Sequence, residues 1–572
     1  MPRYIKREKL WGVLLGGLYD SPARREWVRS RGRRESDLAV FAGMLREGIL
    51  EDKLPQLNGA FFAVLWDPDS EVLVAVNDRY GLYPFYWAHR NGQFCLASRG
   101  LCAVLAGVVD GEWDPAGVAQ MLTTSDLLGG TTLVKGVAAF PQATLLLKRG
   151  MNEVTWRRYW EYDYRGRHEN TPTVELAHEL GRLFCQSVQR QTDGVERVGV
   201  TLSGGLDSRC IAAAAAHAGI PLRTFTWGKA GCYDRRFARQ TARLLGTDHH
   251  DCEYEYGNFE SRYEEAVRAT EGTSNLFDTH MMAHVHLLEG EVDLILNGYA
   301  GDLLLGGSYL RRRWMGAVAG DELARMLFSW RVVGLPEALL GRAMPAPSLI
   351  ASGAMPSEFH RRELTRCEAP STADRVDRFF LENRVRRGTS VGTVLLRYGV
   401  ESAACFFDYE LVDLITAVPA KLRFEHHMYL AMMRDTFPEV LDVRWQRTLL
   451  PAGAPGWTAI AGKAFLKGCR LLEQRIGWPS FVSRQSPVDF GAWLRGPLRD
   501  WMAAICNEPH PLADEVLRPG FCADTWREHL AGAERSQLLG VIASIRGFAR
   551  ALDRARRREP SSSQKPQEVR RE

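Results

Sequence analysis

The 572-residue sequence lacks the cysteine pairs, the charge imbalance and the long apolar runs that mark several common protein classes. Its 11 cysteines are scattered and none forms a Cys-x-x-Cys pair, so the sequence indicates neither a zinc site nor a disulfide framework. A net charge of +4, from 73 basic and 69 acidic residues, does not favour nucleic acid or a membrane surface. The apolar segment Leu10–Leu18 is too short to span a membrane. We therefore expect a cytoplasmic protein that binds neither nucleic acid nor membrane.

The sequence also lacks a Gly-Lys-Ser/Thr triplet at its main glycine pair, which excludes a Walker phosphate loop there. Residues 198–209, VGVTLSGGLDSR, instead predict a buried strand, an anion-binding loop and the start of a helix, because glycines let backbone N–H groups approach an anion. Asp207 would repel that anion unless a divalent cation lies between them, which predicts bound Mg²⁺. The residues assigned to this loop site are Leu202, Ser203, Gly204, Gly205, Asp207 and Ser208.

The patterns of strands and helices divide the chain into two parts. Residues 1–160 carry short strands and turns, such as the hairpin signal Asn91-Gly92, and predict an antiparallel β-rich domain. The polar residues 161–172 are predicted to be a linker. Residues 173–555 begin with alternating helices and strands and end mostly helical, which predicts a parallel α/β domain with a helical C-terminal part. Residues 556–572 are basic, polar and proline-bearing, and are predicted to be a disordered tail.

Four segments, in family order, resemble the asparagine synthase superfamily of ATP-dependent amide-forming enzymes. SGGLDS at 203–208 is similar to the pyrophosphate (PP) loop of enzymes that cleave ATP between the α and β phosphates. NGYAGDLLLGG at 297–307 resembles the second ATP-site signature of asparagine synthetases, and GVESAACFFD at 399–408 resembles the family's Gly-Val-Glu segment. LNG at 57–59 and NDRYGLYPFY at 77–86 resemble the core of its glutaminase domain. The resemblance implies a combined α+β and α/β fold, with a truncated Ntn-type glutaminase-like domain before an adenine-nucleotide α-hydrolase-like domain.

The resemblance also implies a site and a reaction. ATP and Mg²⁺ are the expected cofactors, and the metal would be held by Asp207 and Asp302 on the loops after neighbouring strands. Thr226, Trp227 and Gly298 would lie against the nucleotide. A substrate carboxylate would attack the α-phosphorus of ATP, and an amine would then attack the resulting acyl-adenylate.

The N-terminal part departs from the family pattern. Glutamine-dependent members carry a cysteine directly after the initiator Met, because the free amine of that cysteine serves its own thiol as a base. Here position 2 is Pro, and the first cysteine is Cys95. The 56 residues before Leu57 are roughly half of what a complete glutaminase would need. We therefore expect no glutaminase activity and a degenerate glutaminase domain.

The predicted synthetase site also departs from the family. Tyr299 stands where asparagine synthetases have Glu, and Leu303 stands where a second acid usually follows Asp302. A tyrosine there resembles the β-lactam-forming branch, in which a Tyr and a Glu deprotonate an amine of the substrate, and Glu401 is the nearest candidate partner. A phenol with a pKa of about 10 needs such a partner to act as a base. The alternative is that Tyr299 only packs over the nucleotide.

The family's late-loop lysine is also replaced. Arg447 is predicted to take its place, with Lys463 as the alternative. The sequence therefore predicts an AMP-forming carboxylate–amine ligase for a small-molecule or peptide substrate, and leaves a homodimer open. The alternatives are an ammonia-using asparagine synthetase, a lasso-peptide cyclase or β-lactam-type intramolecular amide synthetase, and a non-catalytic ATP-binding pseudoenzyme. The tRNA-thiolating enzymes with a similar loop are disfavoured, because Cys-x-x-Cys is absent and the charge is nearly neutral.

Overall fold

The computed structural model describes residues 3–7, 10–31, 35–150, 153–166, 168–351, 353, 355–476 and 486–558. The strands are β1 (Arg3–Arg7), β2 (Leu10–Leu18), β3 (Gly59–Asp67), β4 (Val72–Asn77), β5 (Tyr86–Arg90), β6 (Gln93–Ala97), β7 (Ala138–Ala139), β8 (Thr144–Arg149), β9 (Glu153–Arg158), β10 (Val198–Thr201), β11 (Leu222–Gly228), β12 (Asp248–Glu253), β13 (Leu294–Asn297) and β14 (Glu401–Ala404). The longer helices are α1 (Pro22–Arg31), α2 (Asp37–Arg46), α3 (Pro115–Thr124), α4 (Thr173–Thr192), α5 (Leu206–His217), α6 (Tyr233–Leu245), α7 (Tyr263–Thr270), α8 (Gly320–Arg331), α9 (Pro356–Arg366), α10 (Thr372–Phe380), α11 (Tyr409–Ala417), α12 (His427–Thr436), α13 (Gly456–Ile476), α14 (Arg499–Asn507), α15 (Pro519–Leu530) and α16 (Ser536–Arg556).

The N-terminal part is built on a six-stranded antiparallel sheet ordered β1-β2-β3-β4-β8-β9. One face packs on α1 and α2, where Trp27 and Phe41 are buried. A second, three-stranded sheet is ordered β6-β5-β7, and Asn91 and Gly92 join two of its strands with positive φ angles, as a tight hairpin requires. The prediction of antiparallel strands in this part is confirmed.

The second part is built on a five-stranded parallel sheet ordered β12-β11-β10-β13-β14. The chain runs outward from β10 to β12 on one side and continues at β13 on the other, so the strand order reverses between β10 and β13. Ligands of parallel sheets bind at such a reversal, beyond the carboxyl ends of the strands. The predicted parallel α/β fold is therefore confirmed, and its reversal point lies at the predicted anion loop.

The two parts share one hydrophobic core. Phe62 and Phe140 from the first part and Phe184 and Phe407 from the second belong to the same buried cluster. Arg79 reinforces the contact, because its guanidinium lies 2.8 Å from a carboxylate oxygen of Asp413 in the second part. The N-terminal part is thus packed directly against the α/β part.

The segment predicted as a linker, 161–172, is partly built into this core. Tyr162 and Tyr164 are 5% and 4% exposed, and the Tyr164 hydroxyl donates to Asp377. Residues 559–572 of the predicted disordered tail lie outside the described residues. No helix in the described part of the chain is long and apolar enough to cross a membrane.

Candidate functional site

Backbone N–H groups of the loop between β10 and α5 donate hydrogen bonds to side chains of the protein itself. The N–H of Ser203 donates to Ser208 Oγ (2.9 Å), and the N–H of Gly205 donates to Ser203 Oγ (3.2 Å). The N–H of Gly204 donates to a carboxylate oxygen of Asp234 on α6 (2.8 Å). Side-chain acceptors within the protein thus engage these three N–H groups, and the contact of the loop with a phosphate stays a prediction.

The donors left for an anion lie in the first turn of α5. The N–H groups of Leu206, Asp207 and Ser208 donate to no acceptor within the described residues. The preceding residue, Gly205, supplies no side-chain cap for the 12-residue helix. Because unpaired N–H groups and the helix dipole both attract negative charge, this end of α5, directly after the glycine pair, favours an anion.

Asp207 and Asp302 meet across this end of α5. The N–H of Asp302 donates to Asp207 Oδ2 (3.0 Å), and the Tyr429 hydroxyl donates to Asp207 Oδ1 (2.9 Å). The Ser308 hydroxyl donates to Asp302 Oδ2 (2.7 Å). Burial raises the pKa of both carboxyls, and the charge of Asp302 raises the pKa of Asp207 further. Two partly buried carboxylates on adjoining loops fit a divalent cation, whose charge would offset their repulsion and which prefers oxygen ligands.

The loop after β13 can approach α5 only because it carries glycines. A Cβ on Gly298 would lie 2.9 Å from Asp207 Cβ, and one on Gly301 would lie 2.8 Å from Asp207 Cγ. Ala300 between them has a φ of +60°, in the left-handed region. This close approach brings the two acids together. The contact of Gly298 with a nucleotide stays a prediction.

The predicted adenine contacts lie at the carboxyl end of β11. The Thr226 hydroxyl donates to the carbonyl oxygen of Leu202 (2.5 Å), which ties β11 to the anion loop. The Trp227 ring stacks on His284, with ring centres 5.8 Å apart. The structure puts Thr226 beside the loop, and the contact of either residue with a base stays a prediction.

Arg447 lies near the acid pair. Its guanidinium is 3.1 Å from Nδ1 of His426, and its charge opposes the burial-driven rise of the pKa of Asp302. This position agrees with the predicted role of a fixed cation beside the metal acids, although the role itself stays a prediction. The side chain of the alternative, Lys463, lies outside the described residues.

The predicted pairing of Tyr299 with Glu401 is wrong. The parallel register sets Glu401 opposite Leu294, at the amino end of β13, whereas Tyr299 follows the carboxyl end of that strand. The Tyr299 hydroxyl donates to the carbonyl oxygen of Val385 (2.7 Å), and its ring stacks on Phe407 at 5.0 Å. Burial raises the pKa of the Tyr299 phenol, which opposes its use as a base.

Glu401 has other partners. One of its carboxylate oxygens accepts from the Tyr83 hydroxyl (2.7 Å) and from Arg397 Nε (3.1 Å). It therefore joins the N-terminal part to the amino ends of the parallel strands. The acid pair lies at the opposite, carboxyl, ends of these strands. This geometry argues against the predicted catalytic role of Glu401.

Sequence reasoning missed several residues that support the site, namely Arg209, Asp234, Ser308, Tyr429 and Gln446. Arg209 is fully buried and donates to main-chain carbonyl oxygens of residues 204, 440, 443 and 444, which fastens the anion loop to the helical part. Ser308 follows a Gly-Gly pair and Arg209 directly follows the loop motif, and these were the available signals. Tyr429 lies 222 residues after Asp207, and no local pattern marks it.

Comparison with known proteins agrees with this architecture. A family model for asparagine synthase matches residues 179–447, and a model for a glutamine amidotransferase domain matches residues 2–103. Together with the asparagine synthetases among its relatives, these matches show the class of the protein. The chain belongs to the asparagine synthase superfamily.

Its relatives are distant. The amidase chyE of Penicillium rubens is 24% identical over 59% of this chain and 52% of its own length. The glutamine-hydrolysing asparagine synthetase 3 of Bacillus subtilis is 27% identical over 51% of this chain and 50% of its own length. The amidase chry2 of Gibberella zeae is 25% identical over 48% and 43% of the two lengths. The chain spans about half the length of the curated relatives it matches.

Proposed function

We propose that this chain is an ATP-dependent ligase that joins a carboxylate to an amine and releases AMP and pyrophosphate. The observation that carries the proposal is the meeting of Asp207 and Asp302 at the uncapped start of α5, where the strand order of the parallel sheet reverses. The family supports the same chemistry, since relatives of this chain are named asparagine synthetases. The names of the amidase relatives also concern amide bonds.

Each group has a task in this reaction. The free N–H groups at residues 206–208 would bind phosphate oxygens of ATP. Asp207 and Asp302 would hold a divalent cation, which would neutralise phosphate charge during cleavage between the α and β phosphates. Arg447 would stabilise negative charge on the α-phosphate, which the substrate carboxylate attacks. Its guanidinium would act as a fixed positive charge and not as a proton donor. Tyr299 would support the wall of the site through its stacking on Phe407.

We further propose that the amine does not come from glutamine hydrolysis by this chain. A cysteine nucleophile needs a lowered thiol pKa. Burial instead raises the thiol pKa of each of the following, Cys95, Cys102, Cys185, Cys210, Cys232, Cys252, Cys367, Cys405, Cys506 and Cys522. In this proposal the amine is free ammonia, a second substrate or a group of the same substrate.

The test is the exchange of labelled pyrophosphate into ATP, measured with Mg²⁺ over a panel of carboxylic acids that includes aspartate and short peptides. We expect exchange with at least one acid, and its loss in Asp207→Asn and in Asp302→Asn. Asp248→Asn is the matched control, because that side chain lies at the amino end of β12 and is 61% exposed. Exchange with every acid absent, despite tight ATP binding, would favour an ATP-binding protein without chemistry and refute the ligase.

The panel also separates the kinds of ligase. Exchange with aspartate, followed by product formation with ammonia alone, would identify an ammonia-using asparagine synthetase. Exchange with a peptide carboxylate, followed by loss of one water from the peptide mass, would identify an intramolecular amide synthetase. Full exchange activity in Asp207→Asn would remove the proposed metal site.

A further inference from the structure

A cavity of about 620 Å³ lies between the N-terminal part and the α/β part. It lies at the amino ends of the parallel strands, because its lining includes Val292 and Asp293 just before β13 and Val400 just before β14. The acid pair is at the opposite, carboxyl, end of the same strands. The cavity is therefore separate from the proposed nucleotide site.

The walls of the cavity combine apolar and aromatic side chains with charged and hydroxyl groups. The N-terminal part contributes Tyr83, Phe85 and Tyr86, and the α/β part contributes Val391 and Val394. Small-molecule sites have volumes of about 300–1,000 Å³ and join apolar walls to polar groups that orient the ligand. The cavity has the size and lining of a site for a small organic molecule.

Most charged groups of the lining are already paired. Arg197 lies 2.6 Å from Asp293 at an exposed position, and Arg397 lies 3.1 Å from Glu401. Arg99 donates to the Tyr398 hydroxyl (2.5 Å), and its charge acts on the nearby Glu271 carboxyl, whose pKa it lowers. None of these groups needs a ligand to satisfy it.

Arg386 and Arg387 are the exception. Both belong to the π-helical segment Leu381–Thr389 and line the cavity. Arg387 donates to the carbonyl oxygens of Gly129 and Thr131, and Arg386 donates to that of Phe140. Within the described part of the chain neither guanidinium forms an ion pair, and the Nε of Arg386 has no hydrogen-bond partner.

The nearest acid does not compensate them. Glu382 lies one helical turn before Arg386, but its carboxylate is 2.7 Å from Arg158 and 3.0 Å from Arg378. Burial and the neighbouring Arg387 lower the pKa of Arg386 to about 10, so the guanidinium is still charged at neutral pH. Two adjacent, partly buried cations without a counter-anion are unfavourable.

We propose that this cavity binds a small carboxylate with an aromatic or aliphatic body, whose carboxylate is received by Arg386 and Arg387. Guanidinium groups match a carboxylate or a phosphate in geometry and charge. The aromatic and valine walls would cover an apolar body, which favours an organic carboxylate over free phosphate. The site lies outside the ligase machinery and does not depend on the ligase proposal.

The experiment is isothermal titration calorimetry of the full chain with three probes, 3-phenylpropionate, its neutral amide and inorganic phosphate. We expect the carboxylate to bind at least tenfold more tightly than either other probe. The double variant Arg386→Gln/Arg387→Gln should weaken its binding at least tenfold. Arg197→Gln is the matched control from the same lining and should change binding less than threefold, because Arg197 is already paired. Asp207→Asn should bind the carboxylate as the wild type does, even if it loses pyrophosphate exchange.

A second measurement uses the wild-type protein and so does not depend on the folding of a variant. Phenylglyoxal labels arginine side chains, and peptide mass mapping shows which ones react. We expect 3-phenylpropionate to protect Arg386 and Arg387 and to leave Arg361, an exposed arginine on α9, unprotected. Equal binding of the amide, tighter binding of phosphate, or carboxylate binding without protection of the two arginines would each overturn the proposal.

Discussion

Replacing Tyr299 by phenylalanine removes one hydroxyl group and leaves the ring in place. The stacking on Phe407 at 5.0 Å is retained, so no cavity opens. The hydrogen bond to the carbonyl oxygen of Val385 is lost, but that oxygen still accepts from the N–H of Ser390 (3.0 Å). Because the acceptor keeps one partner, the cost belongs at the low end of the range for a buried hydrogen bond, about 1 kcal/mol.

The same change tests the chemical role of Tyr299. With no carboxylate at its hydroxyl, we expect Tyr299→Phe to slow pyrophosphate exchange and amide formation by the same factor. Even if the whole of that roughly 1 kcal/mol were added to the activation barrier, that factor would be about fivefold. Tyr164→Phe is the control, since that buried hydroxyl donates to Asp377 in the same core. The assay is the ratio of the two rates, together with the denaturation midpoint. A hundredfold loss of amide formation with unchanged exchange would refute this reasoning and restore Tyr299 as a base.

Three further changes test the structure directly. Glu271→Gln should stabilise the protein increasingly with pH. Burial raises the pKa of Glu271 from 4.5 to about 7. Since only the folded state holds that proton between these values, wild-type stability falls as pH rises through them, and the variant's advantage in denaturant titrations should grow by about 3 kcal/mol. A constant difference between the two would contradict this. Gly298→Ala should weaken ATP binding at least tenfold in calorimetry, because its Cβ would lie 2.9 Å from a side-chain carbon of α5, whereas Gly520→Ala, with open space around its Cβ, should not. Arg79→Met should lower the free energy of unfolding by about 2 kcal/mol, since a buried guanidinium bonds across the two parts. Asp413→Asn should cost less, because that side chain is 51% exposed, and equal losses would be evidence against this assignment.

Local patterns were sufficient for most of the fold. The apolar run ending at Thr201, the glycine pair and the alanine-rich segment after it predicted a strand, a loop and a helix, and the structure has β10, the loop and α5 in that order. The hairpin at Asn91 followed from turn chemistry, which acts over a few residues. These features depend on neighbours in the sequence, so they are visible without the rest of the molecule.

The partners of the site residues were not visible in the same way. The motif at 399–408 suggested that Glu401 would face Tyr299, but the register of β14 against β13 sets the glutamate at the other end of the sheet. A strand's register depends on the packing of both its faces, and therefore on residues far away in the chain. The contact of Tyr429 on α12 with Asp207 likewise depends on packing between distant parts of the chain.

The sequence by itself determined the family, the two-part architecture and the position of the anion loop and its acid, because each is written in short runs of residues. Only the tertiary structure decided that the free N–H groups lie at Leu206 to Ser208, that Asp302 closes on Asp207, and that Glu401 belongs to the contact between the two parts. It also placed Arg386 and Arg387 in the lining of a cavity, where neither forms an ion pair within the described residues. Such features depend on distances between segments hundreds of residues apart, which only the packing of the whole chain sets.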